Sequence, residues 1–126
     1  MKHLLDRPVW SALASRHAAL AEGGALARRY PASIVPFAST GDDSEESLAA
    51  LATLVRSGET IFMAQADPIV LPGELTATVT ADAVQMLAEN PLEKVIDERI
   101  RLLGPSDAPE MLELATLTKP GPFTLR

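Results

Sequence analysis

The chain reads as an α+β protein. A small mixed sheet with two or three packed helices is expected over residues 1–95, followed over residues 96–126 by the first strand and helix of a second, incomplete α/β domain. Three features predict this. Capped segments with apolar residues at spacings of three and four mark helices. Runs in which polar and apolar residues alternate, Glu74–Thr80 and Arg99–Leu102, mark half-buried strands. The turn-forming stretch Asn90-Pro91-Leu92-Glu93-Lys94 separates two periodic blocks and is the best boundary.

In chain order, Asp6 can cap a helix that has Pro8 in its first turn, where the missing N–H has no intrahelical partner to lose. Val9, Trp10, Leu13, His17, Leu20 and Ala21 give that helix one apolar face, and Gly23-Gly24 interrupts it. Ala25–Tyr30 resumes as a short helical turn or two, ended by Pro31. Ser33–Ala38 reads as a strand in which Pro36 must sit at an edge or where no ladder donor is needed. Thr40–Asp43 is a loop. Asp43 and Glu46 have capping-box spacing, and Asp42, Asp43, Glu45 and Glu46 suit the positive end of the helix dipole. That helix runs through Leu48, Leu51, Ala52, Leu54 and Val55 to a stop at Gly58. Thr60–Ala64 is the most β-like run, Asp67–Gly73 a loop with an apolar centre, and Glu74–Thr80 a cleanly alternating strand. For Ala83–Ala88, propensity favours helix.

The last quarter is the most informative. Arg99 and Arg101 alternate with Ile100 and Leu102, and Gly104-Pro105 ends the strand. Asp107 and Glu110 then have capping-box spacing, Pro109 lies in the first turn, and Met111, Leu112, Ala115 and Leu114 supply an apolar stripe. A Thr118-Lys119-Pro120-Gly121-Pro122-Phe123 segment follows. No second strand is visible to pair with the first, so the chain is expected to be the front part of something larger. This β–α start joined to a "PGPF" run resembles the opening of the Gcn5-related N-acetyltransferase (GNAT) fold, in the FR47-like subgroup that carries an extra N-terminal domain. The resemblance covers residues 98–123 and implies that residues before about 97 form the extra domain. It also favours a strand over residues 83–88, because strands of this type occur at the domain junction in that family, and a strand is the expectation adopted here. It implies acetyl-CoA as cofactor and a small-molecule or peptide amine as acceptor. In that family a Q/R-x-x-G-x-G/A loop presents backbone N–H groups and a helix N-terminus to the pyrophosphate. The chain has no good copy of it, so no residue here is expected to bind acetyl-CoA.

One segment imitates that loop. Arg101-Leu102-Leu103-Gly104-Pro105-Ser106 fits R-x-x-G-x-[small] between a strand and a helix. Pro105 removes an amide donor, however, and Ser106 stands where Gly or Ala is wanted, so an ordinary turn is the expectation.

Composition excludes several classes. The absence of cysteine rules out disulfides, thiolate nucleophiles and Cys-based zinc sites, and it fits a cytoplasmic location. A formal charge of −6, with Arg28-Arg29 the sole adjacent basic pair, argues against a nucleic-acid groove. No apolar run approaches membrane-spanning length, and Asp6 interrupts any signal-peptide core. His3 and His17 are the only histidines, with no metal-ligand spacing around them. The acids at 42, 43, 45 and 46 lack the alternating oxygen spacing of a calcium loop. Glu110 and Glu113 share a helix side, but capping explains the first and solvation the second. No G-x-S-x-G elbow occurs. Gln85 and Met86 read as packing and register residues.

The site prediction therefore falls on Pro120, Gly121, Pro122 and Phe123. By resemblance they would shape the acceptor-amine wall, with Phe123 offering apolar contact. The alternative is a rigid Pro-Gly-Pro turn that exposes an aromatic. Catalytic residues are not assignable, and no metal site is expected. The leading functional expectation is the N-terminal portion of an acetyl-CoA-dependent N-acetyltransferase, inactive alone. The alternative is a non-enzymatic interaction module that pairs the exposed edge of Arg99–Leu103 with a partner or, as a homodimer, with a second copy. A small-molecule binding domain without chemistry is a third.

Overall fold

The computed structural model describes residues 3–119. These form two compact units that divide between Ala77 and Thr78. The class is α+β, as expected: among the described residues there are three α-helices and a three-stranded sheet.

In the first unit the sheet is an antiparallel meander. Strand β1 (Glu22–Gly23) pairs with β2 (Ala27–Arg29), and β2 with β3 (Ala38–Thr40), in the register Arg28 opposite Ser39. The β1–β2 hairpin needs Gly23. Its φ of +110° lies where side chains strain the backbone, and a Cβ there would come within 2.4 Å of the Ala27 carbonyl oxygen. Ala25–Tyr30 thus holds strand β2 at Ala27–Arg29, not the expected helical turn. Ala27 and Arg29 face inward, and Arg29 is buried because Glu59, distant in sequence, meets it. No local propensity could report that.

The strand expected at Ser33–Ala38 is displaced toward the C-terminus. Ile34 and Val35 both donate to the Pro31 carbonyl in a turn. Pro36, lacking an N–H, acts only as an acceptor, receiving the Phe62 amide at 2.8 Å; Ala38 N–H then donates to the Phe62 carbonyl at 3.0 Å. The β-like run at Thr60–Ala64 contributes this one parallel bridge, Phe37 to Phe62, with the two rings packed edge to face at 5.7 Å. Its alternation is nevertheless real, since Ile61 and Met63 pack on the core while Phe62 is largely exposed.

The N-terminal helix is shorter than its apolar stripe. Asp6 does not cap it. With His3, Asp6 closes a capping box around a 3₁₀ turn at Leu4–Asp6: the His3 amide donates to Asp6 at 2.8 Å, and the Leu5 amide to the His3 ring. Helix α1 (Pro8–Leu13) follows with Pro8 in its first turn, and a second 3₁₀ turn occupies Ala18–Leu20. The break coincides with serine hydroxyls bonding to main-chain carbonyls, Ser11 to Leu4 and Ser15 to Ser11, each at 2.6 Å.

Helix α2 (Glu45–Leu54) forms where expected, but Ser44, not Asp43, is its N-cap, accepting the Ser47 amide at 3.3 Å. It ends at Leu54, before Gly58, which takes a positive φ in the next turn. Leu51 is the helix's fully buried apolar side chain and lies with Ala27 and Ala38 at the centre of the core. Such a core is small, and buried polar residues supplement it: Arg7, Arg29, Ser39, Thr40 and Ser47.

In the second unit, helix α3 (Ala108–Thr118) follows a 3₁₀ turn at Pro105–Asp107. Pro109 lies in its first turn as anticipated. The strands expected at Glu74–Thr80, Ala83–Ala88 and Arg99–Leu103 are not built as strands. Among the described residues these segments have no ladder partner, and Ala83–Ala88 is not helical either. A strand is defined by its neighbour, so alternation alone cannot make one. Leu75 packs on the first unit's core, but Val79, Val84, Met86, Ile100 and Leu102 are exposed, Leu102 at 97%.

The hairpin geometry predicts a sharp contrast between neighbours. Gly23→Ala is expected to destabilise the first unit by about 2 kcal/mol or more, from backbone strain and the clash with Ala27. Gly24→Ala, with nothing within 4 Å of the added carbon, is expected to be near neutral. Urea unfolding followed by Trp10 fluorescence checks both, and equal losses at the two positions would contradict this account of the turn.

Candidate functional site

The residues singled out from sequence, Pro120, Gly121, Pro122 and Phe123, lie outside the described residues. The described chain approaches them through α3, which ends at Lys119 in the left-handed conformation, φ 51°.

The turn that imitates a phosphate loop is closed by its own side chains. The Gly104 amide donates to the Asp107 carboxylate at 2.8 Å, and Asp107 also accepts two hydrogen bonds from Arg101, at 2.7 and 3.2 Å. The guanidinium first, then the Gly104 amide, hold the Asp107 carboxyl below the usual carboxylate range. An ionised carboxylate thus stands where a bound phosphate would need free donors. Asp107 occupies the helix N-cap position yet makes no capping bond to α3, because its oxygens point back to the turn. Beside it, Arg99 is held by Asp97 at 2.6 Å and 3.0 Å, so both arginines of the alternating segment are engaged on the polar side.

In the first unit the acids expected to serve helix capping are bound into a local network. The Asp42 carboxylate accepts from the Ser44 and Ser47 hydroxyls at 2.6 Å each and from the Ser44 amide at 3.1 Å. These bonds, the Ser44 hydroxyl foremost, lower its pKa to about 2. Asp43 pairs with Arg7 at 2.8 Å, and Arg7 also donates to the Thr40 carbonyl and hydroxyl at 3.1 and 3.0 Å. At the other end of α2, Arg29 makes a two-pronged bond with Glu59 and donates to the Leu54 carbonyl at 3.0 Å. Arg29, with help from the Arg56 amide, depresses the Glu59 pKa to about 2. No buried side-chain polar atom lacks a partner, and no group of His, Asp and Glu is arranged to hold a metal, among the described residues.

One pair escaped the sequence reading. His17 Nδ1 lies 2.6 Å from the Tyr30 hydroxyl, and the rings meet edge to face at 5.6 Å. The hairpin brings them together, so no helical spacing around His17 could reveal it. Burial raises the Tyr30 pKa, which keeps the phenol protonated and able to donate to the imidazole. A buried phenol needs such a partner, and that need accounts for the contact.

A shallow depression of about 340 Å³ lies between the hairpin and α2, lined by Gly24, Ala25, Leu26, Ala27, Ala50, Thr53 and Leu54. Its single side-chain polar group, the Thr53 hydroxyl, donates to the Ala49 carbonyl at 3.0 Å. It carries no group able to move a proton or attack a carbonyl. No helix among the described residues is long and apolar enough to cross a membrane.

No protein-family model matches the chain. No functionally curated protein matches it either. A solved structure does: the 1.80 Å crystal structure of a candidate acetyltransferase from the GNAT family of Novosphingobium aromaticivorans DSM 12444. The two are 30% identical, with a TM-score of 0.75 over 98% of this chain. The chain spans 54% of that protein's length.

Two of the depressed carboxylates, Asp42 and Glu59, set a pH dependence in the first unit. Each has a lower pKa in the folded state, so its contribution to stability is complete above the ordinary values, 3.8 for Asp42 and 4.5 for Glu59, and is lost as pH falls through about 2. The urea midpoint is expected to drop between pH 4.5 and pH 2. A variant combining Asp42→Asn with Glu59→Gln should be less stable throughout yet show a shallower slope in that window. An unaltered slope would assign the acid sensitivity to other groups.

Proposed function

We propose that this chain is the N-terminal portion of an acetyl-CoA-dependent N-acetyltransferase of the GNAT family, in its FR47-like subgroup. The observation that carries the proposal is the likeness to the Novosphingobium protein, which combines 30% identity with a TM-score of 0.75 over nearly the whole chain. The helix at Ala108–Thr118, where the resemblance expects one, and the Pro120–Phe123 run read from sequence point the same way.

On this reading residues 1–95 are an accessory domain and residues 96–126 open the catalytic one. In the reaction, the lone pair of a neutral amine attacks the thioester carbonyl of acetyl-CoA. The C–S bond breaks, the amine loses a proton, and CoA leaves as the thiolate or thiol. Positioning and electrostatic stabilisation supply most of such an acceleration. On this reading the Gly104 turn, whose amide is taken by Asp107, is not the acetyl-CoA cradle. The grip on acetyl-CoA then belongs to the part of the enzyme that corresponds to the unmatched length of the Novosphingobium protein. Pro120, Gly121, Pro122 and Phe123 would form part of the wall facing the amine, and the cytoplasm is the proposed location.

The test is release of CoA thiol from acetyl-CoA with a panel of primary amines. It is run on this chain and on the longest polypeptide that its reading frame specifies. The chain alone is expected to give no release above background, and turnover by it would overturn the proposed inactivity. A longer product that carries a pyrophosphate-binding loop should release CoA with at least one amine. A product that binds acetyl-CoA and transfers to none, or a frame that ends without such a loop, would overturn the enzyme reading.

The exposure of Ile100 and Leu102 favours a second reading, in which the extended segment pairs with a partner strand or a second copy. Light scattering coupled to gel filtration separates the readings. A dimer that persists on dilution and is abolished by Leu102→Asp would support the interaction module. A monomer at all concentrations would remove the homodimer.

A further inference from the structure

No further inference is drawn: the strongest candidate, the exposed apolar side chains Ile100 and Leu102 on the extended segment before α3, carries nothing beyond the readings already proposed, because nothing in the structure shows what covers it.

Discussion

Two arginines hold the first unit in shape, and they do so by pinning the two ends of one helix. Arg7, at the start of α1, reaches the Thr40 carbonyl on β3 and the Asp43 carboxylate just before α2. Arg29, on β2, reaches the Leu54 carbonyl in the last turn of α2 and Glu59 in the turn beyond. The second arrangement places a cation at a helix C-terminus, where unpaired carbonyls and the dipole favour it. Both arginines are almost wholly buried, 7% and 4% exposed. Removing one partner from such a pair costs far more than an exposed pair is worth, because the remaining charge is left without compensation.

This arrangement follows from composition. The apolar core is Leu13, Ala27, Tyr30, Ala38 and Leu51, three large side chains and two alanines. Alanine lets the sheet and α2 approach closely but buries little surface. Two buried arginines supplement that core, and their heads are satisfied by fixed acceptors. Arg28 does similar work on the outer side, lying 5.0 Å from the Trp10 ring centre while donating to the Leu13 and Gly24 carbonyls. The fold is thus specified as much by hydrogen-bond geometry as by hydrophobic burial.

What could be read from the sequence follows the same division. Features set by a few adjacent residues were legible: the α2 and α3 helices, and Pro8 and Pro109 in first turns. Features set by distant partners were not. Arg28-Arg29-Tyr30 has no local mark of a strand, since Glu59 and His17 give its side chains their places. Thr60–Ala64 alternates correctly yet pairs at one residue, because Pro36 limits the ladder opposite it. Of the candidate site, the Gly104 turn could be judged from Pro105 alone, and the Asp107 carboxylate at its centre agrees. The Pro120–Phe123 wall stands on resemblance alone.

The second unit shows why alternation without a neighbour leaves a different kind of surface. Arg99 and Arg101 are tied to Asp97 and Asp107, which orders the polar side of the segment. Ile100 and Leu102, the residues between, are 70% and 97% exposed. A segment polar on one side and aliphatic on the other gains little from standing in water, and it gains the full transfer free energy of both side chains once another sheet element covers it. Such cover comes from the enzyme's own sheet in the first proposed reading and from a partner strand in the second. What distinguishes the readings is chemistry: acetyl transfer from acetyl-CoA needs a grip on that cofactor, strand pairing does not, and the Gly104 turn is filled by its own aspartate.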